Sequence, residues 1–142
     1  MRGHIGIRKN LEKLLGHKIE EVKYFKVDSL ENYQRFVLEL LYTTNTHKHY
    51  SMAHYYECNG DLVSDPDVTF AIDSNGEIFP QSFQNSIYFD DRYFNLETKK
   101  YCPAKCRELM AFLTMWTTNL LRQGYHREVP KITLVADSAK DN

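Results

Sequence analysis

Three carboxylates lie close together in the chain and could hold a metal ion. Asp61, Asp65 and Asp67 fall within seven residues. Carboxylate oxygens are the ligands that Mg²⁺ and Mn²⁺ prefer, and a bound ion can activate water for phosphodiester hydrolysis. The same residues also form turns without a metal, because Asp bonds nearby amides and the residue before Pro66 is held extended. We expect a structural role here; a metal-dependent hydrolase or nuclease, with His54 as acid or base, is the alternative.

Histidines supply a second group of candidate ligands. His47 and His49 share strand parity, whereas His54 and Glu57 have opposite parity, so these side chains need not converge on one ion. A nucleophilic Cys58 would stand roughly 13 Å along a strand from His54, too far for a hydrogen bond. The histidines therefore support neither a zinc site nor a local nucleophile and base.

The remaining cysteines give no stronger metal site. Cys102 and Cys106 are spaced for one face of a helix, but no second pair at zinc-site spacing accompanies them. Three cysteines in a chain of this size indicate reduced thiols. We predict no catalytic residue, no metal ligand and no cofactor, and we favour a protein that is not an enzyme.

Surface residues are the better candidates for function. Acidic and tyrosine side chains can contact a protein, and acids can imitate phosphate toward a basic nucleic-acid channel. The predicted partner-binding residues are Tyr55, Asp61, Asp65, Asp67, Asp90 and Asp91. Direct nucleic-acid contact is an alternative role for the basic N-terminal residues Arg2, Arg8, Lys9 and Lys13.

Composition describes one ordinary globular domain. The chain has 142 residues, 42% of them hydrophobic, and a formal net charge of −1, so there is no global field to attract nucleic acid or an anionic membrane. We predict a single domain over 1–142, with 127–142 as either an added strand or a loose tail. No apolar run is long enough for a signal peptide or a membrane span, so we expect a cytoplasmic protein.

Apolar periodicity predicts the elements that position these residues. Helical spacing over 5–15 ends at Gly16, and β-rich patterns follow at 19–27 and 34–42, each with a helix as its alternative. A hairpin loop over 43–48 leads into a strand over 50–58, and Asn59-Gly60 predicts a tight turn. After a further bend at 65–67, strands over 68–72 and 77–83 flank the turn 73–76, and Pro80 indicates an edge or a bulge.

The strongest pattern lies near the C-terminus. Pro103 suits the first position of a helix, apolar residues then recur at intervals of three and four, and Gly124 marks the end. The predicted fold is therefore α+β, with an antiparallel β-meander of about four to five strands packed against this long helix and a short N-terminal helix.

The segment 54–70 reads HYYECNGDLVSDPDVTF. It resembles the signature of an uncharacterised family of small proteins, in which HYxxxNGDL is followed by a DP pair, a glycine turn, a strand and a late helix. Members of that family are encoded on plasmids, integrative elements and phages. The resemblance covers about 36–124 and leaves 1–33 outside it. It implies an accessory protein of mobile DNA, without an activity to transfer.

Together these features favour a binding function over catalysis. We expect a non-enzymatic binding module of a mobile genetic element that occupies a surface of a protein or nucleoprotein effector, as a counter-defence inhibitor such as an anti-CRISPR protein does. The alternatives are the metal-dependent hydrolase and a nucleic-acid-binding accessory protein.

Overall fold

A computed structural model describes residues 4–28, 34–127 and 131–135. In this part of the chain, the strands form one antiparallel sheet, and the two helices pack against each other. The elements are α1 (His4–Leu15), a 3-10 turn (Ile19–Glu21), β1 (Val22–Val27), β2 (Arg35–Thr43), β3 (His47–Cys58), β4 (Asp61–Asp73), β5 (Ile78–Gln84), β6 (Phe89–Asp90), α2 (Pro103–Arg122) and β7 (Lys131–Val135).

The sheet is a meander with one added strand. Its order is β6-β5-β4-β3-β2-β1-β7, and every neighbouring pair is antiparallel. Six of these described strands have at least five residues, and β6 has only two. The α+β class and both helices are confirmed, but the expected four to five strands were too few. β6 is too short to show alternation, and β7 lies in the segment that was left open between a strand and a tail.

Both helices end where the sequence predicts. Gly16, at φ +75°, follows α1, and its amide donates to the carbonyl of Glu12. Pro103 begins α2, and Gly124, at φ +88°, follows its last turn. A positive φ suits glycine because a Cβ would clash with the backbone. These ends fix how far each helix extends over the sheet.

One face of the sheet carries the hydrophobic core. Both helices pack against each other and share one buried cluster with alternate residues of the strands. The helices contribute Ile7, Leu11, Leu14, Leu15, Cys106, Leu109, Met110, Leu113, Trp116 and Leu120. Burying a side chain such as Leu113 contributes about 2 kcal/mol relative to leaving it in water. The predicted role of α2 as a cover for the sheet is confirmed.

The register between strands shifts at several places. Between the pairs Ala53↔Asp67 and Tyr55↔Ser64, β3 advances by two residues and β4 by three, so β4 contains one extra residue. The bend expected at 65–67 is therefore wrong: β4 continues through it as a bulged strand. A second shift lies beside Pro80, in agreement with the predicted bulge.

Some observed element boundaries differ from the predicted ones, for physical reasons. The strand expected over 19–27 begins only at Val22, because Ile19–Glu21 form a 3-10 turn. The buried Tyr50 hydroxyl donates to the carbonyl of Ile19 at 2.9 Å, which holds this turn against the sheet. The helix considered through 32–41 is wrong where described, since β2 occupies it from Arg35 onward.

The three cysteines are unpaired, with Cys58 and Cys102 exposed and Cys106 buried on the apolar stripe of α2. Among the described residues, neither helix has the length and apolar character that a membrane crossing requires.

Candidate functional site

The acidic residues predicted at 61–67 do not converge. Asp61 is exposed beside the β3–β4 turn, and Asp65 accepts a hydrogen bond from the amide of Ser86 at 3.3 Å. Asp67 lies six residues from Asp61 along the same strand, a separation of roughly 20 Å. Within the described residues, no three His, Cys, Asp or Glu side chains are grouped so as to hold a metal ion.

Asp90 and Asp91 also have different surroundings. Asp90 is only 3% exposed, and its carboxylate accepts hydrogen bonds from the Tyr88 hydroxyl, Arg92 and Lys105. The bonds from Arg92 and Lys105 hold the pKa of Asp90 far below its usual range. This carboxylate ties the β6 segment to α2, whereas Asp91 is exposed. Asp90 therefore does not present its charge to a partner in this conformation.

His54 occupies a structural position in the core. Trp116 donates its indole N–H to His54 Nε2 at 2.9 Å, and Nδ1 lies 3.3 Å from the carbonyl oxygen of Arg35. These contacts define a neutral ring that carries its proton on Nδ1. Burial lowers the pKa of His54, and the bond to the Arg35 carbonyl acts in the opposite direction. Both ring nitrogens are engaged, so His54 is not arranged as an acid or base.

The four basic N-terminal residues predicted to contact nucleic acid do not share one environment. Arg8 bonds the carboxylates of Glu12 and Glu20 and the carbonyl of Gly76. The bond with Glu20 raises the pKa of Arg8. Lys9 and Lys13 are exposed on α1. Arg2 lies outside the described residues, so of the four predicted contacts only the two lysines offer described, unpaired cations.

The face of the sheet opposite the helices carries a different set of side chains. Directly paired residues of an antiparallel sheet share a face. We define the open face as these paired rows: Tyr24, Glu39, Ser51, Thr69 and Ser82; Lys26, Val37, Ala53, Asp67 and Gln84; Tyr42, His49, Ala71 and Phe79; and Arg35, Tyr55 and Ser64. No helix or strand in the described ranges 4–28, 34–127 and 131–135 covers it.

A cleft of about 810 Å³ lies at one end of the open face. His49, only 9% exposed, stacks on Tyr42 with ring centroids 4.1 Å apart, and burial followed by the nearby His47 lowers its pKa. The loop after β6 forms the far wall, where Gln81 donates to the carbonyl of Phe94 at 3.0 Å. This loop wraps around β5 and bounds the open face on one side.

Four residues form an acidic and aromatic group at the centre of the open face, and we call it the central patch: Tyr24, Glu39, Tyr55 and Asp67. Burial and then Asp67, Glu39 and Tyr24 raise the pKa of Tyr55. Burial also raises the pKa of Asp67, with Glu39 adding to the effect and the nearby Ser64 hydroxyl opposing it. The strand register accounts for these effects, because Tyr24 pairs with Glu39, and Asp67 pairs with Ala53, two residues from Tyr55 on the same face.

The central patch has no cation of its own in the described structure. Lys26 and Arg35, the basic residues of the open face, both pair with Asp28, at 3.5 and 2.7 Å. Neither Glu39 nor Asp67 forms an ion pair with any described residue, and the buried Oδ1 atom of Asp67 has no hydrogen-bond donor there. The patch therefore keeps an uncompensated negative charge.

Sequence reasoning singled out part of this patch. Tyr55 and Asp67 were predicted as partner contacts, whereas Glu39 was not. A signal was present, because Glu39 interrupts the apolar β2 strand at a position facing away from Phe36 and Leu38. The alternation placed Glu39 on the outer face, but only the strand register brings it toward Asp67.

The comparisons identify a family domain that reaches further toward the N-terminus than the motif resemblance does. No curated protein and no solved structure matches this chain. The family model described as domain of unknown function (DUF6908) matches residues 7–126. The matched region starts within α1, so most of 1–33, which the motif resemblance left outside, belongs to the family domain. The physical reason is visible in the core, where α1 buries Ile7, Leu11 and Leu14. This chain is a member of the DUF6908 family of domains of unknown function.

Proposed function

We propose that this protein is a non-enzymatic binding module that contacts a protein or nucleoprotein partner through the open face of its sheet. The observation that carries the proposal is the central patch, where Glu39 and Asp67 make no ion pair with a cation in the described part of the chain and lie beside two tyrosines. Uncompensated carboxylates on a folded surface favour a basic partner, and tyrosine is enriched at protein interfaces.

The arrangement of the sheet supports this use of the face. Five adjacent strands, β1 to β5, contribute to the open face, and at about 4.8 Å per strand they span roughly 19 Å. Helices α1 and α2 stabilise the sheet from the other side, so contacts on the open face need not disturb the core. A rigid surface of this kind loses little conformational entropy when it binds.

The finer form of the proposal is a counter-defence role. The motif in 54–70 resembles that of proteins encoded on mobile elements, and an acidic protein surface can occupy a basic nucleic-acid channel. Glu57, exposed and directly paired with Leu62, adds a third carboxylate toward the turn between β3 and β4. We propose that such a module would inhibit a nucleoprotein effector, such as a CRISPR complex, by covering its nucleic-acid-binding surface.

Affinity capture from the protein's own host tests the binding proposal. A tagged chain is compared with Ser51→Arg, which places a long cation in the middle of the open face. Met115→Arg is the matched control, because Met115 is exposed on α2, on the opposite side of the domain. Mass spectrometry with and without nuclease treatment identifies what is retained.

We expect a stoichiometric protein partner that survives nuclease treatment, persists with Met115→Arg and is lost with Ser51→Arg. Equal retention by both variants, or no retained partner, would contradict the proposal. A partner that disappears after nuclease treatment would instead support the nucleic-acid-binding alternative. Circular dichroism spectra of both variants check that each remains folded.

A further inference from the structure

We infer that the central patch binds an arginine side chain of a basic partner protein, with the guanidinium between Glu39 and Asp67. This inference rests on the proposed function and specifies its chemistry. It is carried by the strand register, by the uncompensated charge and by the aromatic groups beside it.

The register leaves a space between the two carboxylates. Glu39 pairs with Ser51, and Asp67 pairs with Ala53, so both partners lie on the intervening strand β3. The Cα atoms of Glu39 and Asp67 are then two strands and two residues apart, roughly 12 Å. Ser51 and Ala53 carry small side chains, so little side-chain volume fills the sheet surface between the two carboxylates. Ser51 is half-buried whereas Ala53 is only 1% exposed, so a side chain approaching from solvent would enter above Ser51.

The negative charge of Glu39 and Asp67 favours a cation with several hydrogen-bond donors. Asp67 Oδ1 is buried and accepts no hydrogen bond from a described residue. A carboxylate with an unfilled acceptor favours a partner that brings several N–H donors. The nearest basic residues of the open face, Lys26 and Arg35, already pair with Asp28.

The tyrosines favour guanidinium over ammonium. Tyr24 pairs directly with Glu39, and Tyr55 follows Ala53 on the same face of β3. Neither tyrosine hydroxyl makes a hydrogen bond within the described part of the chain. A planar guanidinium can stack on an aromatic ring while its five N–H donors reach two carboxylates, which a compact ammonium cannot do.

Direct titration with peptides tests the inference. Fluorescence anisotropy measures binding of a labelled hexa-arginine peptide and of hexa-lysine to the full chain, at low and physiological salt. The test variant is Glu39→Gln with Asp67→Asn. The matched control is Asp61→Asn with Asp91→Asn, which removes the same charge from exposed positions outside the patch.

We expect hexa-arginine to bind more tightly than hexa-lysine, and the test variant to weaken hexa-arginine binding by about tenfold or more. The control should stay within about twofold of the wild type, since its carboxylates are solvated. In nuclear magnetic resonance spectra, the amides of Ser51 and Ala53 should shift on addition of hexa-arginine.

Equal losses in the test and control variants would show a general charge effect and overturn the inference. Equal affinity for the two peptides, or unshifted amides at Ser51 and Ala53, would also overturn it. If a captured partner is lost with Ser51→Arg but kept by the Glu39→Gln, Asp67→Asn variant, the proposed function stands and the arginine inference fails. If neither substitution affects capture, both fail.

Discussion

The half-buried His54 predicts a specific dependence of stability on pH. Its folded-state pKa is lowered from an ordinary value of 6.5, chiefly by burial, so the unfolded chain binds the proton more readily than the folded chain. Stability is then retained above pH 6.5 and falls as the pH drops below it. One titrating group changes the free energy of unfolding by at most about 1.4 kcal/mol per pH unit. The loss of stability due to His54 between pH 7.5 and 5.5 should therefore not exceed about 1.4 kcal/mol.

His54→Gln isolates this contribution, because glutamine keeps an amide that can accept from the Trp116 indole and donate to the Arg35 carbonyl, yet does not titrate. Urea unfolding at pH 7.5, 6.5 and 5.5 gives the free energy of unfolding for each protein. We expect a flatter pH dependence for His54→Gln than for the wild type, and an unchanged one for the control His17→Gln, whose side chain is exposed. Parallel curves for wild type and His54→Gln would refute the reasoning.

Three further substitutions test other contacts. Asp67→Asn should raise the free energy of unfolding at pH 7, because folding raises the pKa of this carboxylate and opposes its ionised form; Asp61→Asn should leave urea midpoints unchanged. Trp116→Phe removes the donor to His54 and should cost about 1–3 kcal/mol in urea unfolding. Asp90→Asn should lower the melting temperature at pH 7, and the difference from wild type should shrink progressively as the pH falls below 3.8, because the unfolded chain takes up a proton there while the folded carboxylate stays ionised.

Local chemistry was enough to predict most elements of this fold. The Asn59-Gly60 turn adopts positive φ at both residues, and the 73–76 turn and both helix ends also follow the sequence signals. The bulge at 65–67 was read as a bend, because Asp and Pro mark turns and interrupted strands alike. Neither β6, with two residues, nor the pairing of β7 with β1 leaves a local signal.

The candidate site was harder to predict because it depends on register. Residues Glu39 and Asp67 lie on different strands, and the extra residue in β4 shifts the alignment of everything beyond it. A one-residue change in pairing would place another side chain beside each carboxylate. Likewise, the acidic character of Asp90 was evident in the sequence, but its pairing with Lys105 depends on how α2 returns across the sheet.

Strand β7 differs from the other strands in the sequence distance to its pairing partner. From β1 to β6, each strand pairs with its neighbour in the chain, so these contacts close short loops and can form early in folding. β7 instead pairs with β1, where Lys131 lies opposite Val27, so this contact closes a loop that contains most of the domain. The family match ends at residue 126, before this strand begins. In this chain, a segment outside the family domain thus satisfies the backbone edge of β1, and the unpaired edge of the sheet passes to β7.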